Sequence, residues 1–444
     1  MSKNILKIHT PTLIILFVTL FFSGCASIAT TKPNIDAASQ LKLWERFNDQ
    51  DLDQLEEQAL KDNNSLLSKL YVYEKAKLNV DLSQNALLPK FSANLNGDAS
   101  RAIDKSDATT KSFDSRLSIS YEADLFGKLK NAKNAKELEA SAVEQDYLSA
   151  RLVLSAELAR QYYRIIYLNE SIALAKQNIE HQAKIFDMAK ARYKAGAISK
   201  LDLLSSEQSL IKLQASLENL ELQKQTLISS LAILLGLEQN GILKDLPTQL
   251  DIDKIPCIAD ISVKSLSNRP DIMANELRLQ EALVGVDIAE LKFYPAFSLT
   301  SSVGTSSSEL VQILRNPIGT LGLNILLSFI NYNENVINYK ISKADYEITK
   351  ANFRTSLFTA MKEINDALDA NEVYALKNKK LKHSYESSKK IQDLSSIRYK
   401  AGAISMIEYL QVAQNTINAK QSLVDNKYDM FTARINLFEA SGGK

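Results

Sequence analysis

The clearest pattern in the chain is short segments of strict apolar–polar alternation, each set followed by long stretches without a helix breaker. Phe91, Ala93 and Leu95 are apolar at every second position, and Leu117, Ile119, Tyr121, Ala123 and Leu125 alternate with Ser118, Ser120, Glu122 and Asp124. A period of two with one polar side predicts strands that have a wet face and an apolar face. Phe297, Leu299 and Val303, then Leu321, Leu323, Ile325, Leu327 and Phe329, repeat the pattern, with Leu326 and Ile330 making the last segment apolar on both sides. No Gly or Pro interrupts Lys128 to Ala195, Ala197 to Leu235, Leu323 to Ala401 or Ala403 to Ser441. These runs are rich in Ala, Leu, Lys, Glu and Gln, the residues that lose least on entering a helix. A helix of about 65 residues would be roughly 100 Å long, which implies a coiled-coil-like tube or rod rather than a compact domain.

The pattern is written twice. Arg192-Tyr-Lys-Ala-Gly-Ala-Ile-Ser199 recurs letter for letter, at one fixed shift along the chain, as Arg398-Tyr-Lys-Ala-Gly-Ala-Ile-Ser405. At the same shift Pro89, Phe91 and Ser92 meet Pro295, Phe297 and Ser298, Asp202 meets Glu408, Leu204 meets Leu410, Gln208 meets Gln414 and Gly236 meets Gly442. Each copy therefore holds a strand pair and a helical hairpin. Gly196 and Gly402 suit the left-handed residue that closes a helix. Ser199 and Ser405, each followed three residues later by an acid, predict capping boxes at the start of the next helix.

Each alternating segment has about the ten residues that a tilted strand needs to cross a bilayer. Strands in lipid must close into a barrel, and four are too few, so the chain is expected to oligomerise. Two copies would fill their interior with side chains, whereas three leave room for an opening.

Lys3 and Lys7 precede an apolar run from Leu13 to Phe22 and the small residues Ser23-Gly24 before Cys25, the layout of a secretory signal peptide. Cleavage before a cysteine resembles the lipobox of bacterial lipoproteins, which implies acylation of Cys25, and Ala26 in place of an Asp points to the outer membrane. The other cysteine, Cys257, has no partner and no metal-ligand spacing around it. The chain carries 53 basic and 52 acidic residues, a balance that gives no reason to expect nucleic acid as a partner. Only 13 Gly and 8 Pro among 444 residues agree with long helices.

Together the lipobox, the duplicated strand pair and hairpin, Trp44-Glu-Arg-Phe-Asn-Asp49 and Arg269-Pro-Asp271 resemble the TolC-like outer-membrane efflux family, in particular the lipoproteins that serve tripartite resistance-nodulation-division pumps. The similarity spans residues 25 to 444. It implies a mixed α and β membrane protein whose three protomers form one β-barrel continuous with an α-helical tunnel, joined by a periplasmic adaptor to an inner-membrane pump. Under that resemblance the chain divides into a signal peptide (1–24), a lipid-anchored N-terminal segment with equatorial helices (25–88), a first repeat (89–236), a linker (237–268), a helix leading into the second repeat (269–294) and the second repeat (295–444). The family often has Pro and Gly after the fourth strand, where this chain has Leu327-Ser-Phe-Ile-Asn331-Tyr332, so the bend there is left open.

The resemblance also names candidate site residues. The two turns, with Arg192, Tyr193, Gly196 and Ser199 in the first and Arg398, Tyr399, Gly402 and Ser405 in the second, are candidate adaptor contacts. Glu408 is the candidate periplasmic gate, as a ring of three acids; Gln411 stands where the family often has a second acid, and Asp202 holds the matching place in the first copy. Each of the two acids also has a purely structural reading as a capping partner. No catalytic residue, cofactor or metal is expected: His9 lies in the signal peptide, His181 and His383 lie mid-helix, and no nucleophile–base set or phosphate loop is present. The expected function is the exit duct of a tripartite pump passing small toxic compounds across the outer membrane of a Gram-negative bacterium. A structural periplasmic coiled-coil lipoprotein and a type I secretion exit duct are the alternatives. The nature of the transported substrate is not written in these features.

Overall fold

The computed structural model describes residues 49–101, 109–237, 250, 263–309 and 317–443; Cys25, Trp44 to Asn48 and Cys257 lie outside them. In chain order the elements are α1 (Gln50–Asp62), α2 (Asn64–Asn85), β1 (Lys90–Arg101), β2 (Thr109–Ala123), α3 (Lys128–Lys194), α4 (Lys200–Leu234), α5 (Pro270–Leu291), β3 (Ala296–Ser307), β4 (Ile318–Leu326), α6 (Tyr332–Lys400) and α7 (Met406–Ala440), with 3-10 turns at Val263–Asn268 and Ser328–Asn331. The duplication holds at the level of elements: α2, β1 and α4 return as α5, β3 and α7 with both ends moved by the shift that relates the two turns. The long helices α3 and α6 run for 67 and 69 residues, roughly 100 Å each.

The four strands form one antiparallel sheet in the order β1-β2-β3-β4. Lys90 stands opposite Ser120 in the first hairpin and Ala296 opposite Leu326 in the second, the same register under the shift.

The two copies are not packed alike. The core gathers on α3, where Leu152, Ala156, Leu158, Ala159, Tyr162, Ile165 and Ile166 meet Leu52 and Ala59 of α1, Leu231 of α4 and Phe431, Ile435 and Phe438 of α7. Helix α6 buries only Asn335, Ala360, Ile364 and Ala367 along its whole length.

The strand-to-helix bends also differ. After β2, the Asp124 carboxylate accepts from the amides of Leu129 (3.0 Å) and Lys130 (2.8 Å), while Gly127 supplies a left-handed residue at φ 79°. Alternation in the sequence predicts a last strand running to Phe329, but β4 stops at Leu326 and Ser328–Asn331 coils into a 3-10 turn. The reason lies one turn into α6. The Asn335 amide donates to the Ser328 carbonyl (2.9 Å) and to that of Lys292 (3.3 Å), so one buried side chain ties the bend to the end of α5. In the first copy Leu125 likewise falls just past its strand, in the turn.

Candidate functional site

The sheet presents two chemically distinct faces. Odd-numbered residues make one: Phe91 and Leu95 on β1, Leu117, Ile119 and Tyr121 on β2, Phe297, Leu299 and Val303 on β3, and Leu321, Leu323 and Ile325 on β4. These apolar side chains are left in the open, Phe91 at 72%, Leu95 at 80% and Leu321 at 79% exposed. Water does not tolerate an apolar band of this size on a soluble protein; hydrocarbon does. The rows from Phe297 to Leu95 extend roughly 27 Å along the strands, enough for the apolar slab of a bilayer once tilted. Even-numbered residues make the other face, dominated by Ser, Thr and Asn, with hydroxyls paired across strands at Ser92–Ser118 and Ser302–Thr320 (both 2.7 Å).

At the other end of the long helices the two turns are built as their residues predict. In each, a Schellman closure forms: Ala197 donates to the Arg192 carbonyl (2.9 Å) and Gly196 to that of Tyr193 (2.9 Å), and Ala403 and Gly402 do the same to Arg398 and Tyr399 (2.8 and 2.9 Å). Gly196 and Gly402 take φ of 71° and 72°. Capping boxes follow. The Ser199 hydroxyl accepts from the Asp202 amide (3.2 Å) while Asp202 Oδ2 accepts from the Ser199 amide (3.1 Å). The Ser405 hydroxyl accepts from the Glu408 amide (3.2 Å) and Glu408 Oε2 from the Ser405 amide (2.8 Å). Hydrogen bonds from the Ser199 hydroxyl and amide hold the Asp202 carboxyl below its usual range. Glu408 and Gln411 are both exposed, one turn apart on α7.

Identical turn sequences do not give identical tips. Tyr399 stacks on Tyr409 (ring centroids 5.5 Å apart, planes 12° apart), but the first copy has Leu203 where Tyr409 stands, and Tyr193 is 40% exposed. Arg192 and Arg398 are exposed on the last turns of α3 and α6. His181 sits mid-helix as expected, its pKa lowered chiefly by burial.

Two features were not visible in the sequence. Between α3 and α7, towards the tips, polar pairs flank a small apolar cluster of Leu174, Ile417 and Val424: the Tyr167 hydroxyl donates to Asp425 (3.0 Å), the Gln421 amide to Ser171 (2.9 Å), and Lys420 faces Glu170 (3.8 Å). At the opposite ends of α4 and α7, equivalent positions solve one problem with different side chains. The Asn63 amide donates to the Leu234 carbonyl (2.9 Å). At the matching position of the second copy, the Arg269 guanidinium donates to the Ala440 carbonyl (3.3 Å) while bracing Asp271 and Glu363 (both 2.7 Å). That gives Arg269-Pro270-Asp271 its work: it caps one helix end and opens another. Among the described residues no group of His, Cys, Asp and Glu is arranged to hold a metal, and no helix is long and apolar enough to cross a membrane.

The profile of the family described as Outer membrane efflux protein matches residues 55–237 and again residues 261–443, two stretches offset as the two turns are. The chain belongs to this family. It is an outer-membrane efflux channel protein, and the family consists of channels rather than enzymes. Its sequence is 27% identical to Toxin and drug export protein A of Aggregatibacter actinomycetemcomitans over 90% of this chain and 88% of that one. It is 25% identical to the pyoverdine export outer membrane protein OpmQ of Pseudomonas putida over 93% of this chain and 90% of the relative. Among solved structures, the CmeC outer membrane channel of Campylobacter jejuni has a TM-score of 0.80 at 24% identity, covering 100% of this chain and 94% of that one. The outer membrane protein VceC of Vibrio cholerae has a TM-score of 0.77 at 20% identity, covering 90% and 98%. These likenesses establish the fold of a TolC-like channel with strands and long helices.

Proposed function

We propose that three copies of this chain close into a lipid-anchored duct that receives small toxic compounds from an inner-membrane pump through a periplasmic adaptor. The observation that carries the reading is the repeat itself. Strand β1 and strand β4 each have one edge unpaired among the described residues, and hydrocarbon cannot satisfy an open edge. Because β3 repeats β1 and β4 repeats most of β2, the pairing of β2 with β3 is a template for pairing β4 with β1 of the next copy. Ser118 opposite Ser302 becomes Asn324 opposite the neighbour's Asn96, and Ile119 opposite Ser301 becomes Ile325 opposite the neighbour's Leu95. The helices obey the same rule. Helix α5 packs on α3 within the protomer, so α2 of the next copy packs on α6, covering Ile337, Ile341 and Ile348, which are all more than half exposed in one protomer. Twelve strands leave room for a lumen, and the even-numbered polar face lines it.

In this duct Cys25 is the acylated anchor. The tips bearing Arg192, Tyr193, Gly196 and Ser199, and Arg398, Tyr399, Gly402 and Ser405, meet the adaptor. Glu408, with Gln411 beside it and Asp202 in the first copy, forms the gate. The cap uses only one oxygen of Glu408, so the carboxylate serves both roles. The relative named for toxin as well as drug export supports a second reading, a duct for secreted polypeptide. A deletion strain separates the two: raised sensitivity to small toxic compounds supports efflux, and loss of a secreted protein alone supports secretion.

The ring register is tested by replacing Asn96 and Asn324 with Cys in a Cys257→Ser background. Oxidation is expected to link the chain into covalent dimers and trimers, while Asn96 paired with Cys at Thr320, two rows out of register, links poorly. Absence of cross-links in the first pair would sink this closure.

A further inference from the structure

The charges on the lumenal face are few and ordered. Along the even-numbered positions of the four strands the described residues include two cations, Lys90 and Arg116, and three anions, Asp98, Asp114 and Glu122; nearly everything else is Ser, Thr, Asn or Gly. Glu122 is already engaged, by Lys128 at 3.0 Å. The Arg116 guanidinium is exposed and makes no hydrogen bond or ion pair with any described residue. Its row consists of Asn94, Gly304 and Ile318, so no carboxylate stands opposite it on either neighbouring strand. Gly304 lies so close to β2 that an added Cβ would come within 2.9 Å of the Ser115 carbonyl, which keeps the wall beside Arg116 without a side chain. Asp114 lies in the next row towards the β1–β2 turn, opposite Asn96 and Ser306, and Asp98 one row further, opposite Ser112.

We propose that Arg116 is a specificity-determining residue of the duct: with three copies closed, three guanidiniums form a cationic belt in the barrel, between a hydroxyl-lined stretch that carries Lys90 two rows nearer the helices and an acidic outer mouth made by Asp114 and Asp98. This rests on the trimeric reading above. A barrel of twelve tilted strands is about 24 Å across between backbones. An arginine reaches about 6 Å inwards, so each guanidinium stands within roughly one Debye length of the axis at physiological salt. The belt therefore acts on solutes in transit. It favours compounds bearing a carboxylate, phosphate or sulfonate as they pass outwards, because the charge-assisted bonds of a guanidinium select planar oxyanions. The acidic mouth beyond then repels the same solutes into the medium, and a small cation entering from outside meets the belt as a barrier.

The test reads the local potential without depending on whether the far end of the duct is open. Asn94 is replaced by Cys in a Cys257→Ser background, in full-length protein reconstituted in liposomes. Its modification rate is measured with an anionic and with a cationic methanethiosulfonate of similar size. With Arg116 present the anionic reagent is favoured. Arg116→Gln is expected to lower the anion-to-cation rate ratio about threefold to tenfold at low salt, Arg116→Lys to preserve most of it, and 1 M salt to abolish the difference, since screening then acts within about 3 Å. At Asn324→Cys, which the closure places two strands and one row from the neighbour's Arg116, the same substitution is expected to lower the ratio less than at Asn94→Cys. A stable trimer in which Arg116→Gln leaves the Asn94→Cys ratio unchanged overturns the belt alone; a wild-type protein that purifies as a monomer overturns the duct reading and the belt together.

Discussion

Single residues in this chain carry costs that differ sharply with place, and the glycines show it. Gly196 and Gly236 both hold a left-handed backbone, at φ 71° and 67°. An added Cβ at Gly196 meets nothing within 4 Å, whereas at Gly236 it would fall 2.2 Å from the Asp62 carbonyl oxygen. Gly196→Ala is thus expected to cost about 1 kcal/mol, the conformational term alone. Gly236→Ala is expected to cost several times more or to prevent assembly, because the end of α1 must move, and the comparison is read from denaturation midpoints of the two variants. Glu56 is the other informative residue. It is buried between α1 and α3, accepts a hydrogen bond from Ser155 (2.6 Å), and burial raises its pKa to about 7 against the lowering pull of Ser155 and Arg151. In the unfolded chain it would titrate near 4.5. A raised folded pKa means that the folded state binds the proton more tightly, so stability is greatest below pH 4.5 from this group and declines as pH rises towards 7. The decline amounts to a few kcal/mol per protomer. Glu56→Gln should flatten that part of the stability curve between pH 5 and pH 8, and an unchanged slope would show that Glu56 is not the group responsible.

At the scale of elements, the two faces of the sheet make opposite demands. Ile119 and Ser118 are adjacent on β2 yet lie on the lipid-facing and lumenal sides. Ile119→Asp places three carboxylates against hydrocarbon in the closed barrel, at a cost of about 1–3 kcal/mol each. It is expected to reduce the yield of heat-resistant trimer on gels strongly. Ser118→Asp is expected to leave that yield near wild type, and equal yields for the two would contradict the facing assigned here. The long helices follow from the absence of Gly and Pro, and their ends from Gly196, Gly402, Ser199 and Ser405, whose chemistry acts over a few residues. The end of β4 escaped the same reasoning. Alternation continues through Leu327 and Phe329, but Asn335 reaches back from the next helix to Ser328, and only tertiary contact reveals that.

For the whole molecule, duplication is both an evolutionary trace and a structural instruction. Two copies in one chain mean that each contact between copies inside the protomer forecasts one between protomers. Yet the halves have diverged where their surroundings differ. Tyr409 stacks under Tyr399 where the first copy has Leu203, and Arg269 replaces Asn63 at the matching helix end. The hairpins therefore present two different tips to any partner, despite eight identical residues at each turn.

What the sequence by itself determined is local: alternation set the strand faces, missing helix breakers set the helices, and glycine and serine set the turns, because each depends on neighbours a few positions away. The constant shift between matching residues announced the duplication and, with four strands too few to close, the need for further copies. The tertiary structure alone decided which long helix finds its packing partners within one protomer. Helices α3 and α6 have nearly the same length and similar composition, yet α3 lies inside the core while α6 keeps most of its surface open. Burial depends on what packs against a helix, and α1, α2, α4, α5 and α7 all reach α3. The same holds for Arg116, an ordinary arginine in an alternating strand until the register placed Gly304 and Asn94 beside it and left it no partner among the described residues.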